Sequence, residues 1–262
     1  MSQVRVDLLP EGATTKESIV KKTNALLGAG AALVLALSMG AGPAAAHNGE
    51  HEGDAAANPK GKGSDKAVTL TANLEELNDS GASGWARAIV RNQKIQHIEV
   101  HAEGLTPNAP HAQHIHYGEQ ARNECPGLDL DADMDGRLNT VEGIPAYGPV
   151  VVSLNTFGDT TPGSFLDVSR FPVSDNGSYH YSRDDIEFTD VAGTGYPGAG
   201  GTGTAKQIAD AIRAGEGVLV IHGVDYDGDG QYSFGPDGTG KSELNPALPA
   251  EATDPAVCGV LE

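Results

Sequence analysis

Short alternating apolar runs, each closed by turn-forming residues, constrain this chain more than any other feature. In Val68-Thr69-Leu70-Thr71-Ala72, Trp85 to Arg91 and Ile95 to His101 every second side chain falls on one side, the period of a half-buried strand. Asn92-Gln93 joins the last two, and the polar members His97, Glu99 and His101 take the face expected to meet solvent. Ala112 to Tyr117, Gly148 to Leu154, Tyr179 to Tyr181, Ile186 to Phe188 and Gly217 to Val224 supply further strand-like runs. Helical spacing occurs at Lys206 to Arg213, where Ile208, Ala211 and Ile212 share a face and Gly215 can end the helix. Gly193 to Thr204 is a glycine-rich loop, and the tail from Lys241 to Glu262 reads as mostly coil. With 35 Gly and 15 Pro to make turns, the expectation is an all-β domain over residues 67–262, one sandwich core with long loops and one short helix.

The N-terminus carries a targeting pattern. Lys21-Lys22 precede the apolar run Ala25 to Met39, and Ala44-Ala45-Ala46 places small residues before a cut. Residues 1–46 are therefore expected to be a secretory signal peptide, and the polar, glycine-rich residues 47–66 a flexible linker. The expected location is extracellular, with no membrane attachment after cleavage. The net charge is −19, which disfavours nucleic acid and anionic membranes and suits a protein that meets cations. Nothing in the sequence selects a protein partner. The chain has 2 cysteines, Cys125 and Cys258, and an even count in an exported chain suggests a disulfide.

His111-Ala112-Gln113-His114-Ile115-His116 lies on one of the strand-like runs. On a strand His114 and His116 face the same way, and two neutral imidazoles on one face make half of a transition-metal site. His222, at the end of Val218 to His222, is the candidate third ligand for copper or zinc.

Two aspartate-rich loops follow the pattern of calcium sites. Asp131, Asp133, Asp135, Gly136, Arg137, Asn139 and Glu142 fall where an EF-hand-like calcium loop places its carboxylates, its turn glycine, its backbone carbonyl (from Arg137), a water-bridging residue and its closing glutamate. The flanks Cys125-Pro126-Gly127 and Gly143-Ile144-Pro145 are poor helix formers, so the loop is expected without helices around it. Asp225, Asp227, Asp229, Gly230 and Gln231 repeat the first half, but Pro236 stands at the closing position, leaving Asp237 or Glu243 to supply the last carboxylate. Calcium is expected at both loops, pinning them.

Ser80 to Gly84 followed by Gly104 to His116 resembles the start of a CHRD domain, and His111-x-x-His114-x-His116 resembles the copper strand of copper/zinc superoxide dismutases. Both families are antiparallel Greek-key β-sandwiches, so the resemblance implies that fold. It also implies copper ligation by His114 and His116, a structural role for His111, and a further copper ligand at His222. Val257-Cys258-Gly259-Val260 resembles the end of the dismutase disulfide, with Cys125 as its partner. The calcium loop followed by Gly143 to Pro149 is similar to a group of secreted bacterial proteins without assigned function. Some dismutase features have no counterpart. After Cys125 no histidine occurs until His180, and Pro255 stands where the family has an arginine that guides superoxide. The expected function is therefore a secreted, calcium-stabilised, non-enzymatic CHRD-like β-sandwich that binds copper or zinc through His114, His116 and His222. The competing readings are a degenerate copper superoxide dismutase, and an extracellular adhesion or matrix module, which clustered exposed aromatics near Tyr226 and Tyr232 would favour.

Overall fold

The computed structural model describes residues 66–191 and 203–262. The leader, all but the last residue of the linker and most of the Gly193 to Thr204 loop lie outside the described residues. Eight strands, β1 (Val68–Glu76), β2 (Ser83–Arg91), β3 (Lys94–Glu103), β4 (Gln113–His116), β5 (Val150–Ser153), β6 (Tyr179–Glu187), β7 (Gly217–His222) and β8 (Pro255–Leu261), form one sheet in the order β5-β4-β7-β8-β1-β2-β3-β6. Every pairing is antiparallel, so the all-β expectation holds. The sheet curls into a half-barrel, and side chains of one end reach the other. From β6 the Tyr179 hydroxyl donates to Gln113 Oε1 on β4 at 3.0 Å, and the Tyr181 hydroxyl donates to the Asn155 carbonyl beyond β5 at 3.1 Å.

The two halves of the sheet differ in a way their sequences explain. In β1, β2 and β3 buried Leu70, Leu74, Ala88, Val90, Ile98 and Val100 alternate with exposed or half-exposed neighbours, which leaves one face to solvent. In β4, β5 and β7 every residue is buried, and apolar runs such as Val218-Leu219-Val220-Ile221 mark strands covered on both sides. Leu219 and Ile221 join the main core inside the curl, while Val218 and Val220 pack outward with Ile144, Tyr147 and Cys258. The outer layer over this half carries the candidate site.

The structure corrects two details of the sequence reading. The tail holds β8, which pairs with β7 from Gly217↔Leu261 to His222↔Pro255 and with β1 at Glu75↔Cys258. Its Ala256-Val257-Cys258-Gly259 run does not alternate because both of its faces are buried. Gly259 is required there, since a Cβ would lie 2.3 Å from the Asn73 carbonyl oxygen. There are also two α-helices in place of the one expected: α1 (Thr140–Tyr147) and α2 (Ala205–Arg213). The helix α1 begins inside the first aspartate loop. The Asn139 side chain accepts from the Val141 and Glu142 N–H groups, and the Glu142 carboxylate accepts from the Asn139 N–H, a reciprocal cap that offsets the poor propensities of Gly143 and Pro145. Cys125 and Cys258 form a disulfide, with Cα atoms 5.8 Å apart.

Candidate metal centre

The side-by-side pairing of β4 and β7 builds the site. The register sets His114 opposite Val220 and His116 opposite Val218, and the His222 N–H donates to the Ala112 carbonyl at 2.8 Å. Because side chains alternate, His114, His116, Val218, Val220 and His222 all project from the outer face. Ring centroids are 5.7 Å apart for His114 and His116, 5.3 Å for His114 and His222, and 6.2 Å for His116 and His222. One nitrogen from each ring lies within 4.8 Å of the others. A tetrahedral ion with bonds of about 2.0–2.1 Å holds its nitrogens about 3.3 Å apart, so closure on an ion moves each nitrogen by less than about 1 Å.

Each imidazole is fixed through its other nitrogen by a backbone carbonyl. His114 Nε2 lies 3.1 Å from the Phe165 oxygen, His116 Nδ1 2.8 Å from the Gly148 oxygen and His222 Nδ1 2.6 Å from the Thr253 oxygen. A carbonyl only accepts, so these nitrogens carry the protons. The remaining nitrogens, His114 Nδ1, His116 Nε2 and His222 Nε2, are buried lone pairs without a hydrogen-bond partner. Burial holds the rings neutral: the His116 pKa is lowered to about 3 and that of His222 to about 4, chiefly by desolvation, and His114 lies well below its ordinary value for the same reason. Nearby His222 adds to the depression of His114 and His116. Three neutral imidazoles, each oriented by a carbonyl and each with an unused lone pair, suit a transition metal ion.

His111 is placed differently. It is fully buried, with Nδ1 2.9 Å from the His222 carbonyl and Nε2 3.0 Å from the Thr106 carbonyl. The Tyr232 hydroxyl lies 3.0 Å from Nδ1. It braces the β7 corner and is not part of the three-histidine cluster.

The aspartate loops form two further clusters. Carboxylate oxygens of Asp131, Asp133 and Glu142 lie within 4.8 Å of one another, as do those of Asp225, Asp227 and Asp229. The loops share one hydrogen-bond pattern: Asp131 accepts from the Asp135 and Gly136 N–H groups, and Asp225 from those of Asp229 and Gly230. Asp135 turns toward the Arg137 side chain at 3.0 Å, and Gln231 engages its loop by donating its N–H to Asp229. Glu243, a candidate to close the second loop, pairs with Arg137 at 2.8 Å. The sequence carried no spacing signal for Glu251, a fully buried carboxylate that accepts from the Tyr226 and Ser233 N–H groups. Nor did it signal Asp254, which meets Arg137 at 2.7 Å and accepts from the Tyr226 hydroxyl. Burial pushes Asp254 up to about 7, against the pull of Arg137. Tyr226 and Tyr232 thus spend their hydroxyls on internal partners and are half-buried, while Phe234, close to them in sequence, is exposed.

The chain matches no protein-family model and no curated protein. Among the described residues no helix is long and apolar enough to cross a membrane.

Proposed function

We propose that this is an exported, calcium-stabilised, non-enzymatic CHRD-like domain that binds one copper or zinc ion through His114 Nδ1, His116 Nε2 and His222 Nε2. The observation that carries the reading is the set of three buried, unpartnered ring nitrogens, each opposite a nitrogen already committed to a carbonyl. Left without an ion, such groups keep their full desolvation cost. Imidazole suits copper and zinc, whereas carboxylate clusters suit calcium, so the two kinds of site sort their ions by ligand chemistry. The disulfide fits an oxidising compartment outside the cytosol. Calcium at the aspartate loops fits the same setting, where the ion is abundant.

The dismutase reading finds less support. No Lys or Arg is among the described residues that line the cavity over the histidines, and a chain of net charge −19 repels an anionic substrate. The test is metal content after loading with copper and with zinc in excess calcium. One transition metal ion per chain is expected, and His114→Gln combined with His222→Gln is expected to abolish it with unchanged circular dichroism. Undiminished loading of that folded double variant overturns the assignment. Superoxide decay no faster than with free copper is the expected accompanying result.

A further inference from the structure

His114, His116 and His222 line a cavity of about 200 Å³. Its walls are apolar. They include Ile144, Val150, Phe165, Phe171, Leu244 and Leu248. Phe171 meets the His114 ring edge-on, with centroids 5.5 Å apart. Among the described residues that line the cavity none is charged, and the polar ones other than the histidines are Thr140, Thr253 and Tyr232. The Thr140 hydroxyl already donates to the Thr253 carbonyl, and the Tyr232 hydroxyl is engaged by His111.

Volume, charge and donor atoms select an occupant. An apolar cavity of about 150 Å³ holds a benzene ring, so this one accommodates a single substituted ring or an alkyl group of like size. An ionic group on the side of the occupant turned away from the ion would meet no charged side chain among the lining residues and would be desolvated against apolar walls, at a cost of several kcal/mol. Three protein ligands would leave a tetrahedral ion one open position, and His114, His116 and His222 all line the cavity. We propose that the cavity takes a small, uncharged molecule of about one-ring size, apolar except for a single donor atom that it places on the ion held by His114, His116 and His222. This rests on the metal-centre reading given above. In such a complex the ion would supply the one polar contact and the walls the rest.

The test separates the two layers of the argument. The protein is loaded with cobalt(II) in excess calcium, and its visible absorption reports the coordination sphere. Absorption bands that are lost in His222→Gln are expected. The loaded protein is then titrated at neutral pH with 4-methylpyridine and with pyridine-4-carboxylate, which share a donor and a ring but differ in charge. The expected result is a band shift with 4-methylpyridine at a Kd at least about tenfold lower than for the carboxylate. Leu166 also lines the cavity, and Leu166→Trp, which reduces its free volume, is expected to remove the 4-methylpyridine response and keep the cobalt bands. Cobalt bands with equal binding of the two probes, or with neither bound, overturn the cavity proposal and leave the metal centre standing. Absence of cobalt bands in the unaltered protein overturns both. Should the Leu166 variant not fold, the comparison of the two probes on the unaltered protein decides alone.

Discussion

Each site histidine depends on one carbonyl to choose which nitrogen is free. Gly148 makes that choice for His116 and Thr253 for His222. The neutral state so fixed has a consequence for stability. The folded-state pKa values of His116, about 3, and His222, about 4, lie below the unfolded value of 6.5. Protons therefore bind the unfolded chain preferentially, and the stability present above pH 6.5 is lost as the pH falls toward the folded values. At pH 5 each ring accounts for a loss of about 2 kcal/mol. Asp254, raised to about 7 from 3.8, acts in the opposite sense, because its folded form keeps a proton that the unfolded form releases. The rings outnumber it. For protein free of transition metals but held in calcium, the melting temperature is expected to fall by about 5–10 °C from pH 7 to pH 5. His116→Gln is expected to flatten that slope, and an unchanged slope would contradict the neutral assignment.

At the scale of elements, the helix α1 ties the first aspartate loop to the histidines. Its start is the Asn139–Glu142 cap, and Glu142 also belongs to the carboxylate cluster. Its first residue, Thr140, donates to the Thr253 carbonyl that fixes His222, and its C-cap Gly148 offers the carbonyl that fixes His116. A disturbance of the loop is thus carried by one rigid helix to two of the three imidazoles. Asn139→Ala is expected to cost about 1 kcal/mol in denaturant unfolding. The same change is expected to weaken copper or zinc affinity severalfold, measured by competition with a coloured chelator. Full affinity in a destabilised variant would show that loop and site are independent. The second loop is closed from behind by Glu251, which neutral Glu251→Gln leaves with one acceptor oxygen for two N–H donors. A loss of about 1–3 kcal/mol is expected in the same unfolding measurement.

For the whole molecule, long-range ties hold the curled sheet of a chain whose net charge is −19. The disulfide spans a sequence separation of 133, and a loop of that length is worth about 5 kcal/mol in the chain-entropy model. Cys125→Ala with Cys258→Ala is expected to lose about that much in denaturant unfolding. Calcium withdrawal by a selective chelator is expected to lower the melting temperature, and sodium chloride added to equal ionic strength is not expected to restore it. The calcium-loop pattern, the shared face of His114 and His116, and the strand-like runs were legible in the sequence because each is a local property with a fixed spacing. The α1 cap was equally local, as Asn139 and Glu142 stand three residues apart, but the glycine and proline around it masked the signal. Only the tertiary structure decided that His222 lies beside β4, that β8 is a strand, and that Asp254 and Glu251 are buried behind the loops. It also decided which nitrogen of each ring is free and that the three rings line an uncharged cavity. Those outcomes depend on strand register and on carbonyls arriving from residues far away in the chain, and no local pattern encodes a contact between segments that meet only when the sheet closes.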